Sequence, residues 1–142
     1  MCLLAGAAGA SMTIRAIPHW YAELRAPPGT PPAWVFAPIW TVLYVTIGIA
    51  GWLIWKRRGA VPALRLWGWQ LAANAAWAPA FFGLHSPSAA MGVMIVLLVL
   101  VVLTVMAFRR TDRTAAVLMV PYGLWCLYAA YLNAGFLLLN AT

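Results

Sequence analysis

The sequence predicts an all-α integral membrane protein, a bundle of five transmembrane helices forming a single domain over residues 1–142. Composition is the first reason. Hydrophobic residues make up 65% of the chain and charged residues 8%, against about half and about a quarter in an ordinary soluble domain, so too little polar surface exists to face water. The second reason is segmentation: the apolar residues gather into runs near the roughly 20 residues that a hydrocarbon core of about 30 Å requires. The third is where the charge falls. Nine Lys and Arg give a net charge of +7, yet they flank the runs and form no basic face, which argues for membrane topology and against nucleic-acid binding.

The first run, 1–17, is rich in Ala and Gly and carries Arg15 before Pro18. It lacks the positive n-region of a signal peptide, and Gly6, Gly9, Ala10 and Ser11 suit close packing, so a short retained helix is expected. Residues 18–32 follow with Pro18, Pro27, Pro28, Pro31 and Pro32 and with Gly29. That proline density forbids a helix and predicts a lid-like loop. The second run, 33–55, is stopped by Lys56, Arg57, Arg58 and Gly59. The third, 61–84, starts near Pro62 and ends between Gly83 and Pro87. The fourth, 89–108, is almost purely Val, Leu, Met and Ala up to Arg109 and Arg110. The fifth, 114–139, holds Pro121 in its first third.

With five crossings, Lys56, Arg57, Arg58, Arg65, Arg109, Arg110 and Arg113 fall on the side of the N-terminus, and only Arg15 and Arg25 fall on the other. In a bacterial cytoplasmic membrane this bias places the N-terminus in the cytoplasm and the Pro-rich loop outside.

Tryptophan is the unusual residue, with nine copies, eight of them between Trp20 and Trp77. An interfacial belt accounts for Trp20, Trp34, Trp52, Trp55, Trp67 and Trp69, each near a run's end. The others fall into stripes. In the third run Gln70, Asn74, Trp77 and Phe81 share one helical face, and buried amides in lipid require partners, so this face looks into the bundle or a cavity. Gly68, Ala72 and Ala76 form a small-residue track about 200° away, suited to close helix approach within the chain or across a homodimer. The fifth run repeats the pattern with Tyr122, Trp125, Ala129 and Asn133, and the second with Trp40, Tyr44, Gly48 and Gly51. Two outcomes fit the spacing equally: a pocket with flat aromatic walls for a planar apolar ligand, or a polar-seamed packed core.

The residues exclude much chemistry. Glu23 and Asp112 are the only acidic residues and both lie in connections, so paired carboxylates and an intramembrane proton relay are lacking. His19 and His85 lie in connections on one side, more as interfacial residues than as haem ligands. Cys2 and Cys126 provide neither a disulfide framework nor a metal spacing, and Cys126 reads as a small apolar filler. No metal site, phosphate loop or dinucleotide fingerprint is expected.

Three blocks carry a family resemblance. Trp20, Tyr21, Ala22, Glu23 and Leu24 lead into Pro27, Pro31, Pro32, Trp34, Val35, Phe36, Pro38, Trp40, Leu43 and Tyr44. Gln70 and Leu71 are followed by Asn74, Trp77, Pro79, Phe81, Phe82 and Gly83, and Pro121 and Tyr122 by Trp125, Ala129, Tyr131, Leu132 and Asn133. Together, from Trp20 to Asn133, they resemble the TspO/MBR family of tryptophan-rich sensory and translocator proteins. The resemblance implies a five-helix fold, usually a homodimer, with a pocket beneath the first loop for porphyrin, haem, sterols and benzodiazepine-site ligands. By position it implies Trp20, Tyr21, Pro31, Trp40, Tyr44, Asn74, Trp77, Trp125 and Ala129 as pocket residues, to which the stripes add Gln70, Phe81 and Tyr122. No basic residue follows Arg113, so the sterol-recognition pattern of the fifth run is not met.

Three functions compete on this footing. A receptor or sensor binding tetrapyrroles ranks first, with no cofactor required and porphyrin or haem as ligand. A transporter of porphyrin intermediates ranks lower, for want of inverted repeats and intramembrane charge. An enzyme degrading porphyrin in light would use Trp40 and Trp125, as the resemblance implies, and needs no acid, base or metal.

Overall fold

A computed structural model describes residues 23–58 and 61–141. The expected first helix over 1–17, together with Arg15, His19, Trp20 and Tyr21, lies outside the described residues. Within them the chain is all helix: α1 (Ala33–Arg58), α2 (Pro62–Ala78), α3 (Pro87–Thr111) and α4 (Arg113–Leu139). These are the second to fifth runs of the sequence, each extended or trimmed by a few residues. Three of them, α1, α3 and α4, are long and apolar enough to cross a membrane. Helix is the form such runs take in lipid, because it satisfies every backbone group internally.

The third run departs from expectation. It does not continue as one α-helix to residue 84 but widens at Pro79 into a π-helical turn, Pro79–Gly83, in which the Leu84 amide donates to the Pro79 carbonyl at 3.0 Å. Pro79 has no N–H to give the preceding turn, and a wider turn accommodates that loss. The helix then ends at His85, whose φ of 48° reverses the chain, and Ser86 caps α3 by accepting from the Ala89 amide at 3.2 Å.

α3 packs along α2 and α4, and α1 packs chiefly on α4. Ile47, Ile54, Leu97, Phe108 and Met119 fill the main core, whereas Phe81, Phe82 and Phe136 form a second apolar cluster at the far end. The basic ends meet: Arg57 Nε lies 2.5 Å from Asp112 Oδ2, so the C-terminus of α1 and the start of α4 share one end of the bundle. Asp112 also caps α4, its Oδ1 accepting from the amides of Thr114 at 2.8 Å and Ala115 at 3.2 Å.

Candidate functional site

Three stripes converge. Tyr44 of α1 donates its hydroxyl to Asn74 Oδ1 at 2.5 Å, and Asn74 Nδ2 donates to the Tyr122 hydroxyl of α4 at 2.9 Å. All three side chains are buried, so one amide stitches three helices with both of its polar atoms engaged. Helical spacing made this possible, because Asn74 sits on the inward face of α2 with Gln70 and Leu71, one turn earlier, buried beside it.

Aromatic rings extend from this seam. Trp40 stacks on Tyr44 with centroids 5.4 Å apart, meets Tyr122 edge-on at 6.3 Å, and stands perpendicular to Trp125 at 6.4 Å. Phe36 meets Trp125 edge-on at 5.9 Å. Trp40, Trp125 and Ala129 are half-buried and pack on the main core. Among the described residues, Trp125 Nε1 is buried with no hydrogen-bond partner, and so are both polar atoms of the Gln70 amide, which is wholly buried.

Trp77 and Phe81 belong to a second group. Trp77 Nε1 donates to Asn133 Oδ1 at 3.1 Å, and Asn133 Nδ2 donates in turn to the Pro87 carbonyl at 2.8 Å, fastening the start of α3. Phe81 stacks on Trp77 at 5.2 Å. The π turn sets this geometry, since the added residue rotates Phe81 and Phe82 back toward Trp77 and Phe136. Trp77 touches both clusters and so joins the two groups. Pro31 lies half-buried at the end of the loop, and Trp20 and Tyr21 are outside the described residues.

The loop is held by residues that spacing did not single out. Tyr128 donates its hydroxyl to the Gly29 carbonyl, and Tyr131 donates to that of Pro28 at 2.9 Å. Asn140 grips Arg25 twice, accepting from its amide at 2.9 Å and donating to its carbonyl at 3.1 Å. Pro27 is buried against Gly135, where a Cβ would come within 2.4 Å of the Pro27 ring. Tyrosines about one and two turns after Trp125 and a glycine facing a Pro-rich loop are the signals that would have found this strap.

Other expectations fall elsewhere. Gly68, Ala72 and Ala76 are all exposed on the outer side of α2. Trp34, Trp52, Trp55 and Trp69 are exposed, in keeping with a belt, but Trp67 is not simply interfacial: it packs on Gly51 and donates to the Ile47 carbonyl at 3.1 Å. Cys126 is buried in the core, and His85 is exposed at the helix end.

The TspO/MBR family model matches residues 1–139. The tryptophan-rich protein TspO of Chlorobaculum tepidum is 36% identical over 144 residues, covering 99% of this chain and 91% of that protein. The translocator protein of Ovis aries is 42% identical over 120 residues, 81% of this chain and 71% of its own. The tryptophan-rich sensory protein of Cereibacter sphaeroides is 37% identical over 122 residues, 86% of this chain and 77% of its own.

Proposed function

The chain belongs to the TspO/MBR family, and on that footing we propose that it is a membrane receptor or sensor taking a tetrapyrrole, porphyrin or haem, beneath its Pro-rich loop. One observation carries the reading: the half-buried indoles of Trp40 and Trp125 stand perpendicular with centroids 6.4 Å apart, and the N–H of Trp125 has no partner among the described residues. Flat aromatic faces attract a planar ligand, and a buried unpaired donor costs about 1–3 kcal/mol that an acceptor on the ligand relieves. A porphyrin supplies both the plane and acidic side chains that accept. The strap from Tyr128, Tyr131 and Asn140 holds the loop over this end through neutral hydrogen bonds, which a ligand entering from the loop side has only to loosen. In this reading the loop end faces outward and the basic end inward, by the positive-inside rule.

Ala129 lies one turn after Trp125 on the same face and is likewise half-buried against the core. Titrating detergent-purified protein with protoporphyrin IX, corrected for inner-filter absorption, should give saturable tryptophan quenching that Ala129→Phe weakens at least about tenfold, a loss of about 1.4 kcal/mol. Identical curves for the two proteins, at equal helix content, would refute this placement. Quenching that never saturates in the parent chain would refute the ligand class.

A further inference from the structure

Between the C-terminal half of α1 and the first turns of α2 runs an apolar groove of about 390 Å³, floored by Gly48, Gly51 and Gly68 and walled by Trp52, Trp55 and Trp67. The glycines create it. A Cβ at Gly48 or Gly68 would meet nothing within 4 Å, whereas one at Gly51 would strike the Trp67 indole at 2.6 Å. Trp67 is fixed there by its bond to the Ile47 carbonyl, so the floor is built into the helix pair. The volume falls within the range of about 300–1,000 Å³ found for small-molecule sites.

Charge gathers at one end of the groove. Lys56 Nζ lies 4.9 Å from the centroid of the Trp52 ring, a cation–π contact that puts an ammonium over the groove wall. Arg58 ends α1, and Arg65 stands one turn before Gly68 on α2, both exposed. Arg57 is engaged by Asp112. The one other carboxylate side chain, Glu23, adjoins Leu24, which packs on the Phe81 and Phe136 cluster at the opposite end. Among the described residues Lys56, Arg58 and Arg65 form no ion pair, Asp112 being engaged by Arg57, and their charge is left for an anion to meet.

A slot that is apolar along its length and cationic at one end fits a molecule that is apolar along its length and anionic at one end. In a membrane-spanning chain that molecule is a lipid. We propose that the groove binds an anionic phospholipid, one acyl chain lying on the glycine floor between the tryptophans and the phosphate held by Lys56, Arg58 and Arg65. The site shares no residue with the Trp40 and Trp125 pair, and it stands whether or not a tetrapyrrole binds there.

Native mass spectrometry of the full chain, titrated with phosphatidylglycerol and phosphatidylcholine of matched acyl chains, tests this. The parent chain should retain phosphatidylglycerol at least about tenfold more strongly. The triple variant Lys56→Gln, Arg58→Gln, Arg65→Gln should abolish the preference. Gly48→Leu, entering open space, should weaken retention of both lipids, and Gly68→Leu repeats that test from the other helix should the first variant fold poorly. Equal retention of the two lipids, a preference surviving in the triple variant, or unchanged retention in both leucine variants overturns the proposal. So does a Gly48→Leu chain that loses a dimer while keeping its lipid, which would assign the groove to a second copy.

Discussion

At the loop end, Tyr128, Tyr131 and Asn140 hold backbone groups of residues 25–29 by neutral hydrogen bonds, whereas at the basic end Asp112 holds Arg57 and the first turn of α4 by charge. The two arrangements serve different needs. Neutral bonds to a loop are each worth about 1 kcal/mol net and release one at a time, which suits a cover over a site. A carboxylate that caps one helix and pairs with another fixes their ends together at neutral pH and loosens only on protonation. Between the ends runs the Tyr44, Asn74, Tyr122 seam, which must stay closed whichever end moves.

Asn74→Leu should have the largest effect on this arrangement. It takes the acceptor from Tyr44 and the donor from Tyr122, both buried, at a cost of about 1–3 kcal/mol, softened by any re-pairing of the two hydroxyls. Thermal unfolding in detergent should show a clearly lower midpoint, while proteolysis of the loop at room temperature stays unchanged. An unaltered midpoint would mean that the seam is incidental to the bundle.

Gly135→Ala tests the loop end alone. The added Cβ would lie 2.4 Å from the Pro27 ring, a contact that cannot persist, so the loop must shift away. Overpacking of this kind costs about 1–3 kcal/mol where nothing yields, and less here because a loop yields more readily than a helix. Faster amide exchange at Arg25, Gly29 and Thr30, with α1 and α4 near Asp112 unaffected, is the expected outcome. Exchange that rises equally at both ends would break the distinction between them.

Much of this is legible in the sequence. Period and punctuation placed α1 to α4, because in lipid the apolar run and the helix are nearly one constraint. Asn74 and Asn133 were legible as amides that lipid would not leave unpaired, though not their partners, since Asn133 bonds Trp77 and Pro87 across a long separation in sequence. The π turn was not legible: Pro79 signals a break, but whether the chain kinks, stops or widens depends on Phe81 and Phe82 finding Trp77 and Phe136. Nor were Tyr128, Tyr131 and Gly135 as loop anchors, because nothing local to α4 says which loop lies on it. The packing of Trp67 is not legible from its position alone, because its neighbour Gly51, able to receive an indole, lies on another helix.

The smallest effect is expected from Asp112→Asn, and it is the one that isolates charge from capping. Asparagine caps a helix about as well as aspartate, so the bonds from the Thr114 and Ala115 amides should survive, and only the pairing with the largely exposed Arg57 is lost. In the parent chain burial alone would raise the Asp112 pKa, but the amides of Ala115 and Thr114 together with the Arg57 guanidinium outweigh it and hold the carboxyl below its usual range. A carboxyl whose pKa is depressed on folding stabilises the fold above the unfolded value, about 4, and that stabilisation is lost as pH falls through the lower folded value. Melting midpoints of the two proteins should therefore differ at pH 7, the parent higher, and draw together as pH drops below about 4. No gap at pH 7, or one that does not change through that range, would show that the charge of Asp112 adds nothing to its capping, and would remove the electrostatic half of the comparison between the two ends.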